Sequence, residues 1–321
     1  MAPGEGGYRQ INKALNICAF EDYLEGQQKA LPSLPDVEQI SPRVLRVLGQ
    51  NPASHCKFTL QGTNTFVVGT GPERLIVDTG QGIPEWADLI HETLARRGIT
   101  LSHVLLTHWH GDHTGGVPDL IRMYPHLSSA IYKHEPSKTQ QPITDGQIFR
   151  VEGATVRAVH TPGHSSDHMC FVLEEEHGMF TGDNILGHGT SAVEHLSTWM
   201  HTLYKMQAQD CTTGYPAHGI VISNLRTKIK GELAQKLQRE RQVLKALVQA
   251  KQAERARMER AKGSVTVKEL VATMYGNGVG AGIRELALEP FMDEVLRKLA
   301  EDGAVAFEVR GRVKKWFAPD A

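Results

Sequence analysis

Positions 107–116 read Thr-His-Trp-His-Gly-Asp-His-Thr-Gly-Gly and follow the apolar run Val104-Leu105-Leu106. Three histidines and an aspartate, His108, His110, Asp112 and His113, thus fall within six positions at the end of a short apolar strand. Neutral imidazole and carboxylate are the donors that suit zinc and its first-row neighbours. Where a chain leaves a strand, side chains at i and i+2 share a side. His108 and His110 are therefore expected to face one point, while the tightening turn brings Asp112 and His113 toward a second. A chain with this loop needs a strand backed by a core to hold it still.

Three further donors follow: His164 in "TPGHSSDH", Asp183 in "FTGDNILG" and His218 in "PAHG". Each comes after an expected strand and sits beside Gly or Pro, where the backbone can approach closely. One tetrahedral ion does not use five histidines and two aspartates; two adjacent ions sharing a carboxylate do. Hydrolysis is the chemistry such a pair serves, and the donors alone leave esters, thioesters, amides and phosphodiesters all open. A thiol of pKa ~8.5 departs as thiolate without protonation, which tilts the choice toward a thioester. An alkoxide would call for a general acid, and His188 and Tyr215 are the candidates.

The segments around these motifs alternate between strand and helix. "TNTFVVGT" and "ERLIVDTG" read as a hairpin, and "PEWADLIHETLARRG" carries Trp86, Leu89, Ile90, Thr93 and Leu94 at helical spacing before a Gly stop. "SSAIYKH", "ATVRAVHTPGH", "HMCFVLEEE" and "GMFTGD" are short strands ending in loops rich in His, Asp and Gly. Donors just beyond strand ends are how α/β layers build sites.

From residue 224 the character changes. Residues 226–262 hold twelve Lys/Arg against four Glu, a local +8 in a chain of net charge −1, so the remainder carries about −9. This proline-free stretch is expected to form one long helix or two joined near Ala250, with a solvated basic face. A capping box, Thr266 to Glu269, opens the helix "VKELVATMYG". The helix "EPFMDEVLRKLAEDG" and a hairpin turning at Arg310-Gly311-Arg312 complete a winged-helix-like order. The expected division is a catalytic part over 1–223, with an extension over 1–45, and a basic helical and winged-helix-like part over 224–321.

Composition adds bounds. With 40% hydrophobic and 22% charged residues the chain is ordinary globular material. The first residues lack the apolar core of a signal peptide, and no stretch approaches the ~20 apolar residues of a membrane span. Four scattered cysteines without a CxxC pair read as thiols of a reducing compartment, so a cytoplasmic protein is expected.

The ordered series HxHxDH, GH, GD and AHG resembles the metallo-β-lactamase superfamily over residues 60–220. That resemblance implies an α/β fold, an αβ/βα four-layer sandwich with the metals at one edge. It implies that His108, His110 and His164 hold one metal, that Asp112, His113 and His218 hold the other, and that Asp183 bridges them. Two Zn2+ are implied, with Mn2+ or Fe2+ as other occupants of such donors. Asp112 is implied as the proton acceptor. "FTLQGTNTFVVGTG", "THWHGDHTGG", "TPGHSSDHM", "GDNILGHGTSAVE" and "YPAHG" together resemble the lactamase-β-2-like branch. With "INKALNICAFEDYLEGQQKALPSLPDVEQISPRVLRVLGQNP" the chain resembles fungal atrochrysone carboxyl acyl-carrier-protein thioesterases along nearly its whole length. The implied reaction is release of an aromatic polyketide from the acyl carrier protein of a non-reducing polyketide synthase. "NPASHCKFTL" departs from that pattern by its length.

The basic helix then gains an expected use, steering an acidic carrier-protein surface through charges such as Arg239, Arg241 and Lys245. An endoribonuclease of the same branch is the alternative, since RNA also seeks cations. A non-catalytic metal-dependent binding protein is disfavoured by the intact donor set. Among the other histidines, His160, His168, His188, His195 and His201 are expected to support ligands or lie at the surface. His55, His91, His103, His126, His134 and His177 have no ligand-like context. Asp78 is expected to buttress a ligand, and Asn64 to line the site mouth or make a turn.

Overall fold

The computed structural model describes residues 31–52, 59–276 and 280–320. Most of the extension 1–45, the longer turn within "NPASHCKFTL", and Cys18, His55 and Cys56 lie outside the described residues. Two compact units divide the chain. Among the described residues, the first is built from 31–193 and 198–230, and the second from 194–197 and 231–320.

Two mixed sheets form the first unit. One runs β1 (Val37–Gln39), β2 (Val44–Leu48), β3 (Asn64–Val68), β4 (Glu73–Val77), β5 (Thr100–Leu105), β6 (Ile131–Lys133) and β7 (Gln141–Pro142). Its first four strands pair antiparallel and the rest parallel. The other holds β8 (Ile148–Val151), β9 (Ala154–His160), β10 (Met169–Leu173), β11 (Gly178–Gly182) and β12 (Thr213–Pro216), with only the last pair parallel.

The strands of the first sheet are apolar on both faces because both are covered. Val44, Phe66, Val77 and Leu105 point into the layer shared with Val156, Met169, Phe171 and Phe180 of the second sheet. Their neighbours Leu45, Val67, Ile76 and Val104 point the other way, onto Trp86, Ile90 and Leu94 of the helix Pro84–Arg97. That helix ends at Gly98 in the left-handed region (φ 63°), the Gly stop read from sequence. Burying each large apolar side chain contributes about 1.5–3 kcal/mol, and every donor-bearing loop leaves a strand end of this double core.

Within the basic stretch the chain forms one helix, Leu225–Arg255, with no break near Ala250, and its residues from Gly231 on belong to the second unit. The capping box is present: Thr266 accepts from the Glu269 N–H, and the Glu269 side chain accepts from the Thr266 N–H. The helix Glu289–Glu301 is preceded by Ala281–Ile283 and a π-helical turn, Arg284–Leu288. Pro290 has no N–H for the carbonyl four residues back and its ring crowds that carbonyl, so a widened turn there has a covalent cause. The hairpin follows as β13 (Ala306–Arg310) and β14 (Val313–Phe317).

Much of the charge of the basic stretch is spent inside the second unit rather than on a solvated face. Lys251 and Arg255 pair with Asp320 at 2.7 and 2.9 Å, and Lys262 pairs with Glu308 at 3.3 Å. Arg239 lies over Tyr275 and Phe291, and the buried Lys236 lies over Phe291. Lys230, Arg241, Lys245, Arg257 and Arg260 remain exposed. Among the described residues no helix is long and apolar enough to cross a membrane.

Candidate metal centre

The site is assembled from strand ends upward. Beyond β5, the Thr107 N–H donates to Asp78 Oδ1 at 2.8 Å and its hydroxyl donates to Asp78 Oδ2 at 2.8 Å. Asp78, buried just past β4 with φ 58°, also accepts from His113 Nδ1 at 2.8 Å. With Nδ1 donating to Asp78, Nε2 is the His113 atom aimed into the site, where it offers a lone pair once it carries no proton. The glycines after His113 allow this approach. A Cβ on Gly116 would stand 2.1 Å from Thr79 O and 2.4 Å from the Trp86 ring.

All seven predicted donors come together. Among the described residues, three groups of potential ligands converge with donor atoms within 4.8 Å: His108, His110 and His164; His108, His113 and Asp183; Asp112, His113 and His218. In the first, His110 Nδ1 stands 2.8 Å from His108 Nε2 and 3.0 Å from His164 Nε2. Nitrogens about 2.0–2.1 Å from one ion at angles of about 90–110° stand about 2.9–3.4 Å apart, which is this spacing. In the third, Asp112 Oδ2 stands 3.3 Å from His218 Nε2 and 3.5 Å from His113 Nε2. Asp183 faces both groups: Oδ1 is 3.3 Å from His218 Nε2 and 3.5 Å from His113 Nε2, while Oδ2 is 3.6 Å from His164 Nε2.

Two observations test whether these residues fit metals. Buried His113 Nε2 and Asp183 Oδ1 have no hydrogen-bond partner, although orphaned buried polar atoms are costly. Three imidazole nitrogens also converge where protons can join only some of them. Cations between the donors satisfy both sets of lone pairs, so the residues fit a pair of ions.

Electrostatics separate the two groups. Burial pushes His108 well below the ordinary histidine value, helped by His113 and His164. Burial and then His164 bring His110 down to about 4, and burial lowers His164 as well, so this triad favours the neutral form that donates lone pairs. In the other group burial opposes charge but the ion pairs outweigh it. Asp183 and Asp112 lift His218 to about 10, and Asp112, Asp183 and Asp78 hold His113 well above its usual value. Asp112 and Asp183 are in turn held well below the usual carboxylate range by His113 and His218, against the opposing effect of burial.

Several supports were only faintly legible in the sequence. His164 Nδ1 donates to Ala192 O at 2.7 Å, which directs its Nε2 inward. His168 is fully buried and Nε2 accepts from the Asp183 N–H at 3.0 Å, so this histidine carries the Asp183 loop. Asn64 does not line a mouth: buried in β3, its Nδ2 donates to Pro216 O and Gly219 O, both at 2.8 Å, and fixes the His218 loop. Lys133 and Asp167 form a buried ion pair, and Ser165 donates to Asp167 beside His164. Tyr215 is no acid for the site. It packs between the sheets against Phe66 and Phe180, donates to Glu176 at 3.0 Å, and its phenol is pushed above its usual range by burial. His160 lies against His134, with ring centroids 4.2 Å apart, and His195 meets Arg297.

Comparison with known proteins agrees with this geometry. Residues 58–218 match the family model of the metallo-beta-lactamase superfamily. The atrochrysone carboxyl ACP thioesterase dmxR1 of Cryptosporiopsis sp. (strain 8999) is 74% identical over 318 residues, covering 99% of this chain and 98% of that protein. The atrochrysone carboxyl ACP thioesterase nsrC of Aspergillus novofumigatus is 71% identical, with 98% and 96% covered. The lactamase-like protein ptaB of Pestalotiopsis fici is 70% identical, with 98% of each covered. Among solved structures, a beta-lactamase domain protein from Burkholderia ambifaria superposes with a TM-score of 0.69 at 17% identity, covering 90% of this chain and 95% of that one. A metallo-beta-lactamase family protein from Thermus thermophilus gives 0.61 at 22% identity, with 89% and 99% covered. The chain belongs to the metallo-β-lactamase superfamily and is a close homologue of the fungal atrochrysone carboxyl ACP thioesterases.

Proposed function

We propose that the chain is a dinuclear-metal thioesterase that frees an aromatic polyketide, of the atrochrysone carboxylic acid type, from the acyl carrier protein of a non-reducing polyketide synthase. One observation carries this reading: the complete seven-donor set lies in a chain 74% identical to a relative so named. In this reading the chemistry belongs to 1–223 and residues 224–321 form an accessory module. A cytoplasmic setting accords with the buried free thiols Cys170 and Cys211, pushed up to about 12 and about 11 by burial.

His108, His110 and His164 would hold one zinc, Asp112, His113 and His218 the other, and Asp183 both. When bound, such a pair lowers the pKa of a shared water toward ~7 and polarises the carbonyl under attack. The chain supplies position and proton handling. Asp78, Ala192 and the Asp183-supporting His168 fix the rings and the bridging carboxylate. Asp112, ionised and only partly buried, accepts the proton of the attacking water. The acyl–sulfur bond breaks with the electron pair leaving on sulfur, and a thiolate of pKa ~8.5 needs no proton donor to depart.

The exposed cations Lys230, Arg241, Lys245, Arg257 and Arg260 suit an acidic carrier-protein surface, and would suit RNA phosphates as well. The test offers purified, metal-loaded protein both a polyketidyl-carrier thioester and single-stranded RNA. Thioester hydrolysis with intact RNA is expected; RNA cleavage with the thioester untouched overturns the proposal.

A further inference from the structure

The donors His108, His113, His164 and His218 are buried, and within the motif only Trp109 and Gly111 are exposed. Trp109 is thus the large side chain that the motif presents to solvent, directly next to the donor His110. Trp109 is 45% exposed, whereas Trp86, Trp199 and Trp316 are at most 1% exposed. Its ring stands edge-on to His110, with centroids 4.4 Å apart and planes at 68°. The Thr114 hydroxyl donates to the carbonyls of His110 at 3.1 Å and Trp109 at 3.5 Å, which fixes the backbone beneath the ring. A Cβ at the nearby Gly111 would meet nothing within 4 Å, so the chain is open to solvent there too. Ile220, two residues past His218, is a second exposed apolar side chain next to a donor.

A large aromatic face kept in water against a donor of a charged site is a surface for a planar partner. We propose that Trp109 is the platform on which the planar aromatic acyl group stacks as its thioester enters the site, making it a specificity-determining residue. The inference rests on the thioesterase reading, and it favours a ring of the acyl chain over an RNA base because the relatives are named for a carrier-bound acyl group.

The test compares naphthoyl and acetyl thioesters of a small thiol on metal-loaded protein, with Trp109→Ala and Trp109→Phe. Stacking of ordinary strength predicts that Trp109→Ala lowers the naphthoyl-to-acetyl ratio of kcat/KM about three- to tenfold, chiefly through KM, and that Trp109→Phe restores most of it. A ratio unchanged in Trp109→Ala overturns the proposal. Indole fluorescence of metal-free protein gives a second readout, since the other three tryptophans are buried. Quenching by 2-naphthoate that disappears in Trp109→Phe supports the platform, and quenching by oligoadenylate alone overturns it. Wild-type protein inactive on every thioester would refute the thioesterase reading, while the fluorescence arm would still decide the role of Trp109.

Discussion

Asp78 shows how one side chain outside the donor set governs a donor. It receives three hydrogen bonds, and its φ of 58° is one that Asp and Asn tolerate better than most residues. Asp78→Asn keeps that backbone but sets an amide N–H against His113 Nδ1. The imidazole then has to move its proton to Nε2, the atom that would meet the metal. We expect the variant to bind metal about 10–100-fold more weakly at the second position and to hold one ion per chain instead of two by elemental analysis. Retention of two ions would contradict the role. His218 yields a prediction with a definite sign. Its folded value, about 10, is raised above the ordinary ~6.5. The pairing it brings to the metal-free chain is thus complete below ~6.5 and lost as pH rises through about 10. Near pH ~8 metal uptake must expel that proton. Calorimetry in buffers of different ionisation enthalpy should show net proton release and an affinity that rises with pH; metal uptake without proton release would contradict it.

At the scale of elements, legibility followed local chemistry. The hairpin β3–β4, the helix Pro84–Arg97 and the capping box at Thr266 were readable because period, turn residues and caps act over a few positions. The fate of the basic helix was not, because its partners are distant in sequence: Asp320 for Lys251 and Arg255, Phe291 for Arg239. Charge counting registers cations, not which of them are already engaged. Asn64 was ambiguous for the same reason, its acceptors lying 152 and 155 residues away. The glycine pair after His113 is a packing device. Gly116→Ala should cost about 1–3 kcal/mol through overpacking against Thr79 and Trp86. A lower denaturant midpoint in chelator checks this, and an unchanged midpoint would show that the backbone gives way freely.

Across the whole molecule, the candidate site was legible as an ordered set of short motifs, each placed by a strand end of the two-sheet core. Its wiring was not, since His168, Thr107 and Ala192 act through contacts that only folding creates. Partner recognition also belongs to this scale. Reversing Arg241 and Lys245 to Glu, both exposed, should weaken turnover of carrier-bound substrate about tenfold at low salt, an effect that fades as salt rises. Kinetics on a small thioester should stay within about twofold, and equal loss on both substrates would remove the helix from recognition. Arg239 is unsuited to such a test because it packs over Tyr275 and Phe291. Hydrolysis of a carrier-bound thioester underlies all of these expectations. Mass spectrometry of polyketidyl-carrier protein, incubated with metal-loaded enzyme in water enriched in heavy oxygen, observes that step itself. The expected products are carrier with a free thiol and a released carboxylate holding one heavy oxygen, both abolished by chelator. Carrier that keeps its acyl group, or acid released without the label, would contradict hydrolysis at this site.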